Sequence, residues 1–189
     1  MAKKNNNKNV HLTRTKVSGT IFVAPIGTTL PESASAELDE NFENVGYIGE
    51  DGITNSTETD VTEIKELGGK TILSIITSYS ESYQFVMMET GKASLGLRYE
   101  SANVTGEEAT GLKIIHKMPT GEKHAVVIDL FLTGGKRKRI CITSAAVKEV
   151  GDITYTAGDV VGYDVTLACD PDDENDGATA VEYVEAVKA

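Results

Sequence analysis

The sequence predicts a mainly β domain with one short flanking helix, on three observations. The polar fraction is rich in Thr, Ser and Asn, and Val and Thr recur in short runs that suit strands. Ala, Leu, Glu and Lys nowhere gather into the periodic stretch that a long helix needs. Gly and Pro punctuate the runs, most sharply at Gly134-Gly135. With 189 residues, 40% of them hydrophobic, the chain suffices for one domain with a real core.

The elements follow in order. Residues 1–16 form a basic, Asn-rich arm that cannot fold alone. Residues 17–169 hold the β-domain. Its first strand covers 17–26, with Pro25 near the end. Residues 33–44 predict a short helix, capped by Ser33 or Ser35, with Leu38 and Phe42 on one face. Residues 46–62 are either a long loop or an exposed hairpin, and enter the domain plan as the loop. So long a stretch without a core-forming pattern is usually functional or disordered. Residues 70–88 carry the strongest strand signal. There Ser78, Ser80, Ser82 and Gln84 alternate with Tyr79, Glu81, Tyr83 and Phe85, and Glu81 interrupts the aromatic face. Residues 90–99 predict one short helix, with Leu95 and Tyr99 paired along it.

Beyond residue 100 the pattern is a meander. Strands at 111–118 and 123–132 flank a turn at Met118 to Gly121. The strand ending near residue 133 and the one at 136–143 join across Gly134-Gly135, a strong hairpin signal. Runs at 145–150 and 160–169 continue the meander, and residues 170–189 read as an acidic tail, partly ordered at best.

Charge excludes one class of function. A net charge of -11 opposes nucleic-acid binding by phosphate neutralisation, which needs a basic face. The charge is also unevenly placed. Lys3, Lys4, Lys8, Arg14 and Lys16 crowd the arm, whereas Glu50, Asp51, Glu58 and Asp60 mark an acidic stretch. Solubility is the plainer account of this asymmetry, and attraction between copies is the other. Cys141 and Cys169 fit no metal spacing and read as buried free thiols of a reducing cytoplasm. No apolar leader is visible at the N-terminus, and no apolar stretch approaches a membrane span.

Chemical motifs fail one by one, so neither an enzyme nor a cofactor site is expected. Gly68-Gly69-Lys70-Thr71 ends like a phosphate loop, but Ile64 stands where the motif needs its first Gly. Asp172, Glu174 and Asp176 resemble a calcium loop whose twelfth position is Tyr183 rather than Glu. His116 and His124 could face each other across a hairpin, yet two ligands make a poor zinc site. Lys136-Arg137-Lys138-Arg139 suits a nucleic-acid patch or, equally, a hairpin tip meeting an acidic loop of a neighbour.

A longer succession is more specific. Gly19-Thr-Ile-Phe-Val-Ala-Pro-Ile-Gly-Thr-Thr-Leu-Pro31 leads to Phe42, then to Val45-Gly46-Tyr47-Ile48-Gly49-Glu50-Asp51-Gly52-Ile53-Thr54. Ile64 to Gly69, the Ser/Thr-rich strand ending at Phe85, and Asn103-Val104-Thr105 follow. From about residue 17 to 168 this order resembles the major tail protein, or tail tube protein, of long-tailed bacteriophages with non-contractile tails.

The resemblance implies a tail tube fold, a β-sandwich or barrel-like domain with a flanking helix. Six copies would close a ring, and stacked rings would form a tube around the tape-measure protein that later conducts DNA. It also implies tail tip and tail terminator proteins as partners, a place in the virion tail, and synthesis in the bacterial host cytoplasm. Two expectations about residues accompany it. Ser74, Ser78, Ser80, Ser82 and Gln84 would face the lumen. The arm (Lys3, Lys4, Lys8, Arg14, Lys16) and the segment bearing Ile48, Glu50, Asp51, Ile53, Glu58 and Asp60 would meet between rings. A soluble β-sandwich binding module, or a head-decoration protein, is the alternative reading.

Overall fold

A computed structural model describes residues 5–14 and 19–186. After a short 3-10 turn at Asn7–Asn9 come β1 (Thr13–Arg14), β2 (Ile21–Pro25), β3 (Glu43–Asn44), β4 (Ile48–Lys65) and β5 (Thr71–Met87). Then follow α1 (Lys92–Tyr99), β6 (Val104–Glu107), β7 (Gly111–Ile114), β8 (Lys123–Leu132), β9 (Lys136–Val150), β10 (Tyr163–Cys169) and β11 (Val181–Ala186). The fold is mainly β. Among the described residues nine strands share one antiparallel sheet, ordered β3-β2-β8-β9-β10-β5-β4, with β1 added to β8 and β11 to β9. β6 and β7 form a separate two-stranded ribbon.

The period-2 pattern explains the core. Ile21 and Val23, Phe85 and Met87, Val126 and Ile128, Ile140 and Ile142, and Val165 and Leu167 all bury the same face of the sheet, and Leu95 and Leu97 of α1 close over it. Each such side chain contributes roughly 1.5–3 kcal/mol by leaving water. β8 and β9 turn at Gly134 and Gly135, with φ of 84° and 69°. The loop between Leu132 and Lys136 is three residues, Thr133 to Gly135, and its two glycines take the left-handed backbone that a side chain would strain.

Several expectations are corrected. Residues 33–44 form no helix: they run through bends and a turn into β3. Their local polar groups are claimed from a distance: Arg139 donates to the carbonyls of Ser33 (3.1 Å) and Ala36 (2.7 Å), and Glu185 accepts from the Ala34 amide and the Ser35 hydroxyl. Of the two readings of residues 46–62 the loop fails and the exposed hairpin holds, because from Ile48 onward they belong to β4, paired with β5 except for the bulged stretch before Ile53. The segment expected as a strand over 111–118 pairs only to Ile114, and with β6 rather than β8. The acidic tail supplies β11, whose register against β9 sets it beside the basic run. Lys138 pairs with Glu182 at 2.7 Å, while Arg137 and Arg139 both hold Asp129, so three of the four residues of the basic run are answered within their own chain.

Candidate functional site

The hairpin of β4 and β5 is the part of the chain that its own core does not use. β10 pairs with β5 from Met87 only as far as Glu81, opposite Cys169. Beyond that point the hairpin runs on without a neighbouring strand, and residues 54–80 are all exposed. At about 3.3 Å per residue the free part reaches roughly 30 Å from the body. β4 ends the sheet order, so its outer edge is unpaired along its whole length. A two-stranded ribbon in water is marginal by itself, and an open edge invites pairing with another chain.

Register assigns each side chain to a face. Thr54, Ser56, Glu58 and Asp60 stand opposite Gln84, Ser82, Ser80 and Ser78 on the face turned away from the core. Ser78 donates to Asp60 at 2.7 Å. Four of the five residues expected at a lumen therefore share one hydroxyl-and-acid surface. Ser74 does not share it. A bulge at Thr77 shifts the register between Asp60 and Val61, which pairs Ser74 with Glu63 on the opposite face. The same slip brings apolar residues to both faces near the tip. Ile64, Leu73 and Ile75 lie on the outer face, and Val61 and Ile76 on the face continuous with the core. Leu67 in the turn is fully exposed.

Glu81 roots this element. Its carboxylate accepts hydrogen bonds from Tyr83 (2.8 Å), Asn55 (2.7 Å), Tyr79 (3.4 Å) and Thr179. Both hairpin strands and the segment leading into β11 thus meet on one group, at the point where β5 leaves β10. Burial would raise the Glu81 pKa, but the hydroxyl and amide donors outweigh it and hold the carboxyl below its ordinary value.

The other expected contact residues are dispersed. Ile48 and Ile53 pack half-buried against the chain's own core, so an interface cannot claim their full surface. Glu50 and Asp51 are exposed in the bulged stretch between them. Arg14 is exposed on β1, which pairs with β8 and so joins the sheet away from the β4 edge. Lys8 lies in the turn Asn7–Asn9, and Lys3, Lys4 and Lys16 lie outside the described residues. The sequence pattern missed the apolar tip and the role of Glu81. The signal for both was present, in consecutive Ile75-Ile76 on a strand and in the one acid on an aromatic face.

Elsewhere several polar groups are committed to structure. A cleft of about 280 Å³ beside α1 is lined by Tyr99, His116, Glu122 and His124, among others. His116 stacks on Tyr99 rather than facing His124, and burial holds the pKa of His124 low. Glu100, at a φ of 70°, spends its carboxylate on the amides of Thr120, Gly121 and Glu122. No group of three His, Cys, Asp or Glu among the described residues could hold a metal ion, and no described helix is long and apolar enough to cross a membrane.

Comparison with known proteins adds the family. Residues 4–184 match the family model described as phage tail tube protein. No curated protein matches the chain. Among solved structures, the chain is similar to a component of an extracellular contractile injection system, a sheath–tube complex in the extended state. That match has 13% identity, covers 89% of each chain and has a TM-score of 0.44.

Proposed function

The chain belongs to the phage tail tube protein family, and from that premise we propose that it builds the tube of a long, non-contractile phage tail by stacking hexameric rings. The observation that carries this reading is the hairpin that leaves the core at Glu81, with residues 54–80 exposed and the β4 edge unpaired. Such an edge presents unpaired backbone donors and acceptors that invite pairing, and pairing between copies in a closed ring satisfies them. The hairpin reaches the next ring. The arm of residues 1–16, with its five bases, meets acidic residues of a neighbour that include Glu50, Asp51, Glu58 and Asp60. Exposed pairs of this kind add only about 0.2–1 kcal/mol each, but they guide register and encounter.

The lumen is lined by the face bearing Ser78, Ser80, Ser82 and Gln84. Their hydroxyl and amide groups hold water and offer phosphate no positive charge, so transiting DNA finds no grip there. The tape-measure protein occupies the same lumen before DNA does, and tail tip and tail terminator proteins close the tube's ends.

Negative-stain microscopy and light scattering of the purified chain at rising concentration test the proposal. Rings and stacked tubes about one subunit thick in wall are expected. A strict monomer at high concentration, unchanged by added tail-tip complexes, refutes it.

A further inference from the structure

We propose that the distal hairpin is a wedge held between two other copies of this chain, one against each of its faces, rather than a flap lying on a single neighbour. This deepens the proposed tube assembly and rests on it.

The two halves of the hairpin are built differently. Near the root the outer face is polar, with Thr54, Ser56, Glu58 and Asp60 opposite Gln84, Ser82, Ser80 and Ser78. Past the bulge at Thr77 that distinction ends. Ile64 and Ile75 on the outer face are 45% and 47% exposed, and Val61 and Ile76 on the opposite face are 54% and 65% exposed. A ribbon lying on one partner would keep its far face in water and have no use for apolar side chains there, as the proximal half shows. Apolar side chains standing on both faces of an element with no core of its own need cover on both.

The occupant is the same chain, because the hairpin continues the β4 edge that assembly must cover and because the family assembles from copies of one protein.

Single-cysteine variants separate the faces. Ile75→Cys probes the outer face and Ile76→Cys the other, in the full chain, with a maleimide reagent used on assembled tubes and on dissociated protein. The native thiols give little background, since burial pushes Cys141 and Cys169 up to about 11 and about 12. Both introduced thiols should label at least tenfold more slowly in tubes than in free chains. A maleimide–diazirine photo-crosslinker attached at each position should link it to a neighbouring copy, at a different peptide for each face. A variant that folds by circular dichroism but no longer assembles supports the same conclusion for its face. Protection of one position with free labelling of the other overturns the wedge while leaving a hairpin contact intact. Free labelling at both positions in well-formed tubes overturns the wedge and the hairpin's part in the proposed assembly together.

Discussion

Asp129 is the anion on which two arginines depend. It is buried, and Arg139, only 1% exposed, reaches it at 2.6 Å and 2.9 Å while Arg137 adds a third, shorter contact. Burial would raise the Asp129 pKa, but the hydrogen bonds of Arg139 and then Arg137 prevail, so its folded pKa lies below the ordinary value. A carboxyl depressed in this way stabilises the fold above its unfolded pKa of about 3.9 and ceases to do so as pH falls through the folded value. Asp129→Asn strands the guanidinium of Arg139 and should cost about 3–5 kcal/mol at pH 7. Urea titrations should also show the variant losing less stability than the parent between about pH 4 and pH 2, since it lacks this titration. Equal acid slopes would assign the pH dependence elsewhere. At the hairpin root, Glu81→Ala leaves the donors of Tyr83, Asn55 and Thr179 without their acceptor, for a loss of about 1–3 kcal/mol. Amide exchange over residues 55–80 should rise in that variant, with Val126 to Ile128 unchanged. A uniform rise across the sheet would show Glu81 to be an ordinary stabilising residue rather than the hairpin's anchor.

At the scale of elements, the contribution of tertiary context decides what could be read in advance. β8, its two-glycine turn and β9 were legible because the middle of each strand is buried on both faces, which shows as an apolar run, and because the turn takes positive φ. The short helix at 92–99 was legible through Leu95 and Tyr99. β4 was legible only as one of two alternatives, because Thr54 to Asp60 has water on both faces in the free chain, and a strand without a buried face shows no period. The helix expected over 33–44 failed for another reason: the Ser33 and Ala36 carbonyls go to Arg139, more than a hundred residues away. β11 hid behind its acidic composition, which made sense only once β9 lay beside it. Of the candidate site, the serines were legible as a face, but the bulge that removes Ser74 from it was not. Because residues 58–79 add nothing to the core, replacing them with an Asn-Gly turn should leave the body's melting temperature within a few degrees and abolish tube growth. A large fall in that temperature would mean that the free hairpin stabilises its own chain.

The whole molecule divides into a body that folds for itself and an element that waits for company. Removing residues 1–14 should leave the circular dichroism of the body intact and slow tube growth, while high salt should slow the growth of the parent chain toward the same rate. Unchanged growth after the deletion would reduce the arm to a solubilising tail. Proteolysis exposes the same division. Lys65 and Lys70 flank the hairpin turn, in a stretch exposed on every side. Trypsin should cut there in the free chain, since exposed turns fit protease clefts readily. The cut severs the backbone without dismantling the particle: β4 stays paired with β5 below the cut, and the two halves of the sequence interleave in one sheet. The product should elute as a single folded species that falls into two pieces only in denaturant. It would be a tail protein able to circulate intact in shape but disqualified from building, whereas a chain already in a tube keeps the same bond out of the enzyme's reach.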